Sequence, residues 1–451
     1  MKKITLDRRL LENFSWPLVL SMLGLIVCGL VNLYSVTLNA PSTGSVSEFG
    51  KQAIFCGAGL ALAFLAMFFD YRLLRKPAPL LYGFGIALLV LVEFMGITAG
   101  GATRWLPLFG VRFQPSEFVK PVLAILVASF FARDDYQKKG LTLTTIIAPT
   151  LVTLLPFALI LREPDLGTAG LLCLTVLPMF LFLRFSRALL ITIVSVTAGA
   201  LIWVFLLGGL DFLQKKGIIH GYQIDRILTH QKPEEDSNGK GWQILQSKSA
   251  IGSGQVLGRG FHDGTQQKYG FLPAPKTDFA FAALAEEWGF VGALVVLSLF
   301  YILLRSAIGV ARRSKDRFGR YLALGLTSLI FWQMLINVLM VTGLFPVVGI
   351  PLPFVSYGGT SLLVTTLAVA TINNVGMRRY LFQERPLLEN SQAWREGQPT
   401  LRVQEKAPLV RRLKPPNPQE PDVFPDYRLP HTKPWLKFMG RGKPEISPPE
   451  P

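Results

Sequence analysis

The stretch "FLPAPKTDFAFAALAEEWGFVG", Phe271 to Gly292, places Asp278, Glu286 and Glu287 at the start of, and inside, a run that turns apolar at Phe279. A carboxylate carried into hydrocarbon costs roughly 2.5–3.5 kcal/mol on insertion scales, so such groups face a protein interior or a wet cavity. The run must belong to a bundle that shelters its acids. Thr277 is placed to cap a helix here, and Asp278 would then sit in a first turn where the dipole favours an acid. Glu286 lies eight residues on, about 12 Å deeper and turned by about 80° from Asp278. Glu287 falls on nearly the opposite face. These two glutamates read as structural or substrate-positioning groups rather than catalytic ones.

The chain around this stretch has 451 residues, 50% hydrophobic and only 17% charged, with a mean hydropathy of +0.40. That composition excludes an ordinary soluble enzyme and indicates an all-α integral membrane protein. Runs long enough to cross about 30 Å of hydrocarbon as helices can be placed ten times. They fall near Ser15–Val36, Gln52–Phe69, Leu80–Ile97, Phe118–Phe131, Leu143–Leu161, Leu166–Leu183, Ala188–Leu207, Phe279–Leu304, Tyr321–Val341 and Gly358–Val375. The fourth is short as drawn and borrows from "QPSE" upstream. The first follows Lys2, Lys3, Arg8 and Arg9 without a small-residue cleavage site, and it reads as a retained span after a cytoplasmic segment 1–14.

The net charge of +17 follows from orientation and implies no nucleic acid. Arg72, Arg75 and Lys76 follow the second span, Arg133, Lys138 and Lys139 the fourth, and Arg184 and Arg187 the sixth. Arg312, Arg313, Lys315, Arg317 and Arg320 follow the eighth, and Arg378 and Arg379 the tenth. Basic connections stay inside, so both termini are expected in the cytoplasm. Cys28, Cys56 and Cys173 lie in apolar runs with no paired spacing, as small core residues do. The four histidines show no ligand spacing and no Gly-x-Ser-x-Gly elbow is present, which weakens zinc and hydrolase readings.

The odd connections, expected outside, hold the unusual sequence. Between spans seven and eight, 208–277 forms a large extracytoplasmic loop, far above the usual median of about 4–6 residues. Its centre, "GWQILQSKSAIGSGQVLGRG", mixes apolar and polar residues as an ordered functional loop does. Within it Lys248 and Ser249 lie among small residues, like a phosphate cradle without the Walker spacing. In "GGATRWLPLFGVRFQPSEFVKPVLAI", Arg104 lies in the outer connection, while Glu117 and Lys120, at i and i+3, share a helix face. The local alternative is an ion pair pinning the helix end. "LREPDLGTAG" puts Arg162, Glu163 and Asp165 at a turn, as many membrane-surface turns do. "TGLFPVVGIPLPFVSYGGTS", with Pro346, Pro351, Pro353 and Ser356, cannot be a regular helix. Irregular backbone at membrane depth is tolerated where it is buried in protein or lines a cavity, so this segment reads as a re-entrant pocket floor.

Residues 383–451 differ from the rest: 14 prolines, 12 Lys/Arg and 9 Asp/Glu, with no apolar helical period. They read as an extended, disordered cytoplasmic tail able to meet a cytoskeletal partner or anionic lipid.

Together "GATRWL", "FQPSEFVK", "PDLGTA", "GWQILQSKSAIGSG", "FLPAPKTDFAFAALAEEWGFVG" and "FPVVGIPLPFVSYGGTS" resemble, in order, the signature segments of the SEDS family. These are the RodA, FtsW and SpoVE proteins of bacterial cell-wall synthesis. The resemblance covers about 15–382, the membrane domain, and "LQSK" with "VGIPLPFVSYGG" is closer to the elongation branch than to the division branch. It implies a ten-span glycosyltransferase that polymerises lipid II, working with a class B penicillin-binding transpeptidase and other elongation-complex proteins. By the same resemblance Asp278 matches the family's essential aspartate. A carboxylate there can act as general base on the acceptor hydroxyl. Arg104, Lys120 and Lys248 can stabilise charge on the departing pyrophosphate, with Glu117 orienting Lys120. The pyrophosphate also admits a divalent cation, Mg or Mn, though the sequence offers no ligand cluster for one. Two other readings, a lipid II flippase and a non-catalytic scaffold, fit ten spans with buried acids. The clustering of polar motifs on the outer connections favours the polymerase.

Overall fold

The computed structural model describes residues 12–38, 48–99, 102–108, 111–163, 165–189, 191–192, 195 and 239–378. Most of the expected seventh span, the 208–238 part of the large loop and the tail beyond Arg378 lie outside the described residues.

Helices cover the other nine expected spans: α1 (Trp16–Leu38), α2 (Glu48–Phe68), α3 (Ala78–Met95), α4 (Pro115–Phe131) and, after the short α5 (Asp134–Lys139), α6 (Ile147–Arg162) and α7 (Leu166–Leu181). The large loop carries α8 (Lys240–Ser253) and a single turn, α9 (Thr265–Lys268). The long α10 (Ala280–Arg313), α11 (Arg317–Val341) and α12 (Gly359–Met377) follow. Among these, α1, α2, α3, α10, α11 and α12 are long and apolar enough to cross a membrane, and α6 and α7 are shorter apolar helices. Large apolar side chains such as Leu80 and Phe94 remain exposed, at 76% and 79%, as expected where lipid is the solvent. The molecule is a multi-pass membrane protein.

The fourth span does borrow its upstream residues. Proline is pre-organised for a first helical position, and α4 begins at Pro115. Fourteen of its seventeen residues are buried, so it forms the centre of the bundle, and Glu117 and Lys120 go inside with it.

One departure from an all-α chain is a three-stranded antiparallel sheet between α3 and α4. It comprises β1 (Ile97–Ala99), β2 (Ala102–Leu108) and β3 (Val111–Phe113), with Ile97 opposite Trp105 and Leu106 opposite Phe113. Branched and aromatic residues suit a pleated surface.

The eighth span is interrupted. Gly289, at φ 64°, breaks α10, and the large loop completes the broken backbone. Phe290 and Val291 donate their N–H groups to the carbonyls of Gln255 and Val256 at 2.9 and 3.1 Å. Arg259 and Gly260 donate to the carbonyls of Glu286 and Glu287, each at 3.0 Å. So close an approach requires glycine: a Cβ on Gly258 would stand 2.1 Å from the Glu287 carbonyl oxygen. The loop therefore satisfies polar backbone that hydrocarbon could not.

This docking answers the question of the two buried glutamates. Glu286, fully buried, accepts from Ser253 Oγ, Thr265 Oγ1 and the Gln266 N–H at 3.3, 3.2 and 2.8 Å. Glu287 accepts from Ser35 of α1. Glu286 thus fixes the loop to α10, and Glu287 ties α10 to α1.

Candidate active site

Two irregular segments meet at the loop-bearing end of the bundle. One, 274–279, leads from the large loop into α10; the other, 342–358, joins α11 to α12. Ser356 Oγ donates to the Thr277 carbonyl at 2.6 Å and accepts from the Leu352 N–H at 2.9 Å. The Tyr357 N–H donates to the Lys276 carbonyl at 2.8 Å. Asn337, fully buried on α11, donates from Nδ2 to the carbonyls of Asp278 and Ile350 at 2.9 and 2.8 Å. The second segment is thus irregular backbone laced to the first, as its prolines and glycines led one to expect.

Asp278 lies in this seam, half-buried. Its Oδ2 stands 3.5 Å from where a Cβ on Gly349 would be, and Gly349 itself is exposed. The carboxylate therefore follows backbone held by Asn337 and lies beside the exposed Gly349. The capping reading of Thr277 and Asp278 is corrected. Helix α10 starts at Ala280, its N-cap position is Phe279, and no side chain caps it. The Phe279 N–H instead bonds the Ala274 carbonyl, so the chain turns once more before the helix begins and Asp278 lies outside the first helical turn.

The remaining candidates divide by environment. Lys120 and Glu117 form a buried ion pair of 2.6 Å, with side chains 1% and 4% exposed. Arg104 donates from Nε to the Glu163 carbonyl at 3.1 Å and lies 3.4 Å from Asp165. Asp165 in turn caps α7 through the Thr168 N–H and hydroxyl at 3.1 and 2.9 Å. Arg104 thus ties the sheet to the charged turn. That turn meets the 342–358 segment, because a Cβ on Gly167 would come within 2.9 Å of the Val348 carbonyl oxygen.

The phosphate-cradle reading of Lys248 is also corrected. Lys248 and Ser249 lie on α8, whose backbone N–H groups are committed to the helix. Ser247 anchors that helix to the Val341 carbonyl at 2.7 Å. Lys248 lies against Gly343, where a Cβ would fall 2.2 Å from its Cε. Lys248 and Ser249 are both exposed, so the side chain rather than the backbone is available to an anion.

Sequence reasoning missed Asn337, whose single amide in an apolar helix gave no motif, and Lys276, which pairs with Glu48 at the start of α2. It also missed Arg112. Burial pushes the Tyr357 hydroxyl up, as does Glu48, while Arg112 opposes the shift. Asn337→Leu should leave both carbonyls it holds without a donor and loosen the seam. Activity should fall by about tenfold or more, as geometric misplacement of a reacting group does. An unchanged rate in a folded variant would contradict this role.

Glu163, just past the end of α6, is 5% exposed and pushed up to about 8 by burial and by Asp165, against Arg104, with Glu93 adding to the rise. The folded state then holds a proton that the unfolded chain releases near 4.5, the carboxyl's ordinary value. Stability should fall as pH rises from about 4.5 through about 8, because the native state binds more protons across that window. Melting temperatures from pH 5 to 9 check this: Glu163→Gln should flatten the slope, and an identical slope would sink the assignment.

These features define a multi-pass membrane protein with a half-buried carboxylate at the junction of a large loop and a re-entrant segment. The chain belongs to the family of cell cycle proteins FtsW, RodA and SpoVE, matching it over residues 16–381. It is 39% identical over 320 residues to the peptidoglycan glycosyltransferase MrdB of Escherichia coli K12, covering 69% of this chain and 81% of that protein. It is 35% identical over 367 residues to stage V sporulation protein E of Bacillus subtilis, covering 79% and 95%. Among solved structures it is similar to a chain of a peptidoglycan synthase complex that coordinates polymerization and crosslinking, at TM-score 0.66 and 28% identity, covering 81% of this chain and 98% of that one. The rod shape determining protein RodA of Thermus thermophilus matches at TM-score 0.57 and 26% identity, with the same coverage.

Proposed function

We propose that this peptidoglycan glycosyltransferase polymerises lipid II at the outer face of the cytoplasmic membrane, with Asp278 as its general base. The observation that carries the reading is the placement of Asp278: main chain held by Asn337, carboxylate beside the exposed Gly349. The acceptor sugar hydroxyl gives its proton to Asp278 as its oxygen forms a bond to the donor's anomeric carbon. The bond from that carbon to the lipid pyrophosphate breaks, and the polyprenyl pyrophosphate leaves with the electron pair. A single displacement inverts an α-linked donor to a β-linked product, so one base suffices. Lys248, exposed on α8, meets charge developing on the pyrophosphate. Arg104 and Lys120 act through the residues they hold.

Among the described residues no cluster of three or more His, Cys, Asp or Glu could hold a metal ion. A Mg or Mn ion bound during turnover would be held in part by the pyrophosphate itself, as such ions commonly are. The positive connections support a topology with both termini inside and the large loop outside, in the inner membrane. A class B penicillin-binding transpeptidase would cross-link the strands made here, and the similarity to the rod shape determining protein RodA supports a role in cell shape and elongation with other elongation-complex proteins.

Proteoliposomes test the sidedness. Lipid II supplied only on the face bearing residues 239–278 should be built into strands there. Translocation of lipid II without strands would favour a flippase instead.

A further inference from the structure

We propose that a cavity at the end of the bundle opposite Asp278 binds the phosphodiester headgroup of a membrane phospholipid. The cavity, about 440 Å³, lies between residues 12–17, the C-terminal half of α10 and Gly376 of α12. That volume falls within the roughly 300–1,000 Å³ typical of ligand sites. Asp278 stands just before the first residue of α10, whereas the cavity is lined by Tyr301, Arg305, Gly309 and Arg313 from its last turns.

Arg305 and Arg313 are eight residues apart, about 12 Å along the axis and turned by about 80°, so their long side chains can converge on one anion. Both are exposed, and neither makes an ion pair among the described residues. Their planar forks suit the oxygens of a phosphate. Gly309 lies between them, and a Cβ there would meet nothing within 4 Å, so the space is open where the anion would sit.

The surroundings favour a lipid over free phosphate. Trp16 is 59% exposed, Tyr301 65% and Ile302 41%, which offers amphipathic rings at headgroup level and an apolar surface for acyl chains. Basic pockets between membrane helices recognise lipid headgroups in this way. The exposed Glu12 on the rim leaves the two arginines with one net positive charge. That matches a singly charged phosphodiester better than a phosphate dianion, and Glu12 can receive a headgroup ammonium.

Native mass spectrometry of the full chain released from nanodiscs of phosphatidylethanolamine and phosphatidylglycerol tests the site. Wild type should retain one phospholipid, and excess inorganic phosphate should not displace it. Arg305→Ala with Arg313→Ala should lower retention by about tenfold or more, since charge-assisted bonds are lost. Gly309→Leu, which fills the cavity and keeps both arginines, should do the same. Melting curves confirm folding, which substitutions at these exposed or open positions should preserve. Undiminished retention in both folded variants would overturn the proposal, as would displacement of the lipid by inorganic phosphate.

Discussion

Lys120→Ala is expected to lower stability by about 3–5 kcal/mol, because it strands the Glu117 carboxylate in the most buried helix of the bundle without a counter-charge. Glu117 is 3% exposed and its second oxygen has no hydrogen-bond partner, so water cannot substitute for the lysine. Replacing both residues with apolar groups of similar volume, Glu117→Leu with Lys120→Met, should return most of that stability. The two variants separate structure from function. If the pair also shapes the site, the double variant melts near wild type yet makes strands slowly. Thermal unfolding in detergent beside a strand-synthesis rate measures both. A Lys120→Ala protein with the melting temperature of wild type would show that the pair carries no such weight.

Asp278→Asn should reduce kcat by at least about a hundredfold while leaving the affinity for lipid II nearly unchanged, since a general base acts on the transition state. The substitution keeps the backbone carbonyl that Asn337 holds, so the seam should persist. A variant that keeps the wild-type rate would return Asp278 to a structural role.

The spans could be read from the sequence because hydrocarbon imposes a length and a composition on every crossing helix. The irregular segment between α11 and α12 could be read because Pro346, Pro351 and Pro353 forbid a regular helix there. The break at Gly289 was not legible: "EEWGFVG" reads as continuous helix, and only the docking of 254–260 supplies the hydrogen bonds that make a break tolerable. For the same reason α8 was mistaken for a glycine-rich cradle, since its helix is fixed by contacts to α10 and α11 that lie far off in sequence. Asn337 shows the general limit. Its role depends on two carbonyls, 59 and 13 residues away, that converge only in the folded chain.

The most direct test is glycan-strand formation from purified lipid II by the detergent-purified protein and its Asp278→Ala variant. Each is supplied with the cognate penicillin-binding protein, its transpeptidase inactivated. Long strands from wild type and none from an equally folded variant are the predicted result. Strands of equal length and yield from both would contradict the assignment of Asp278 as the base.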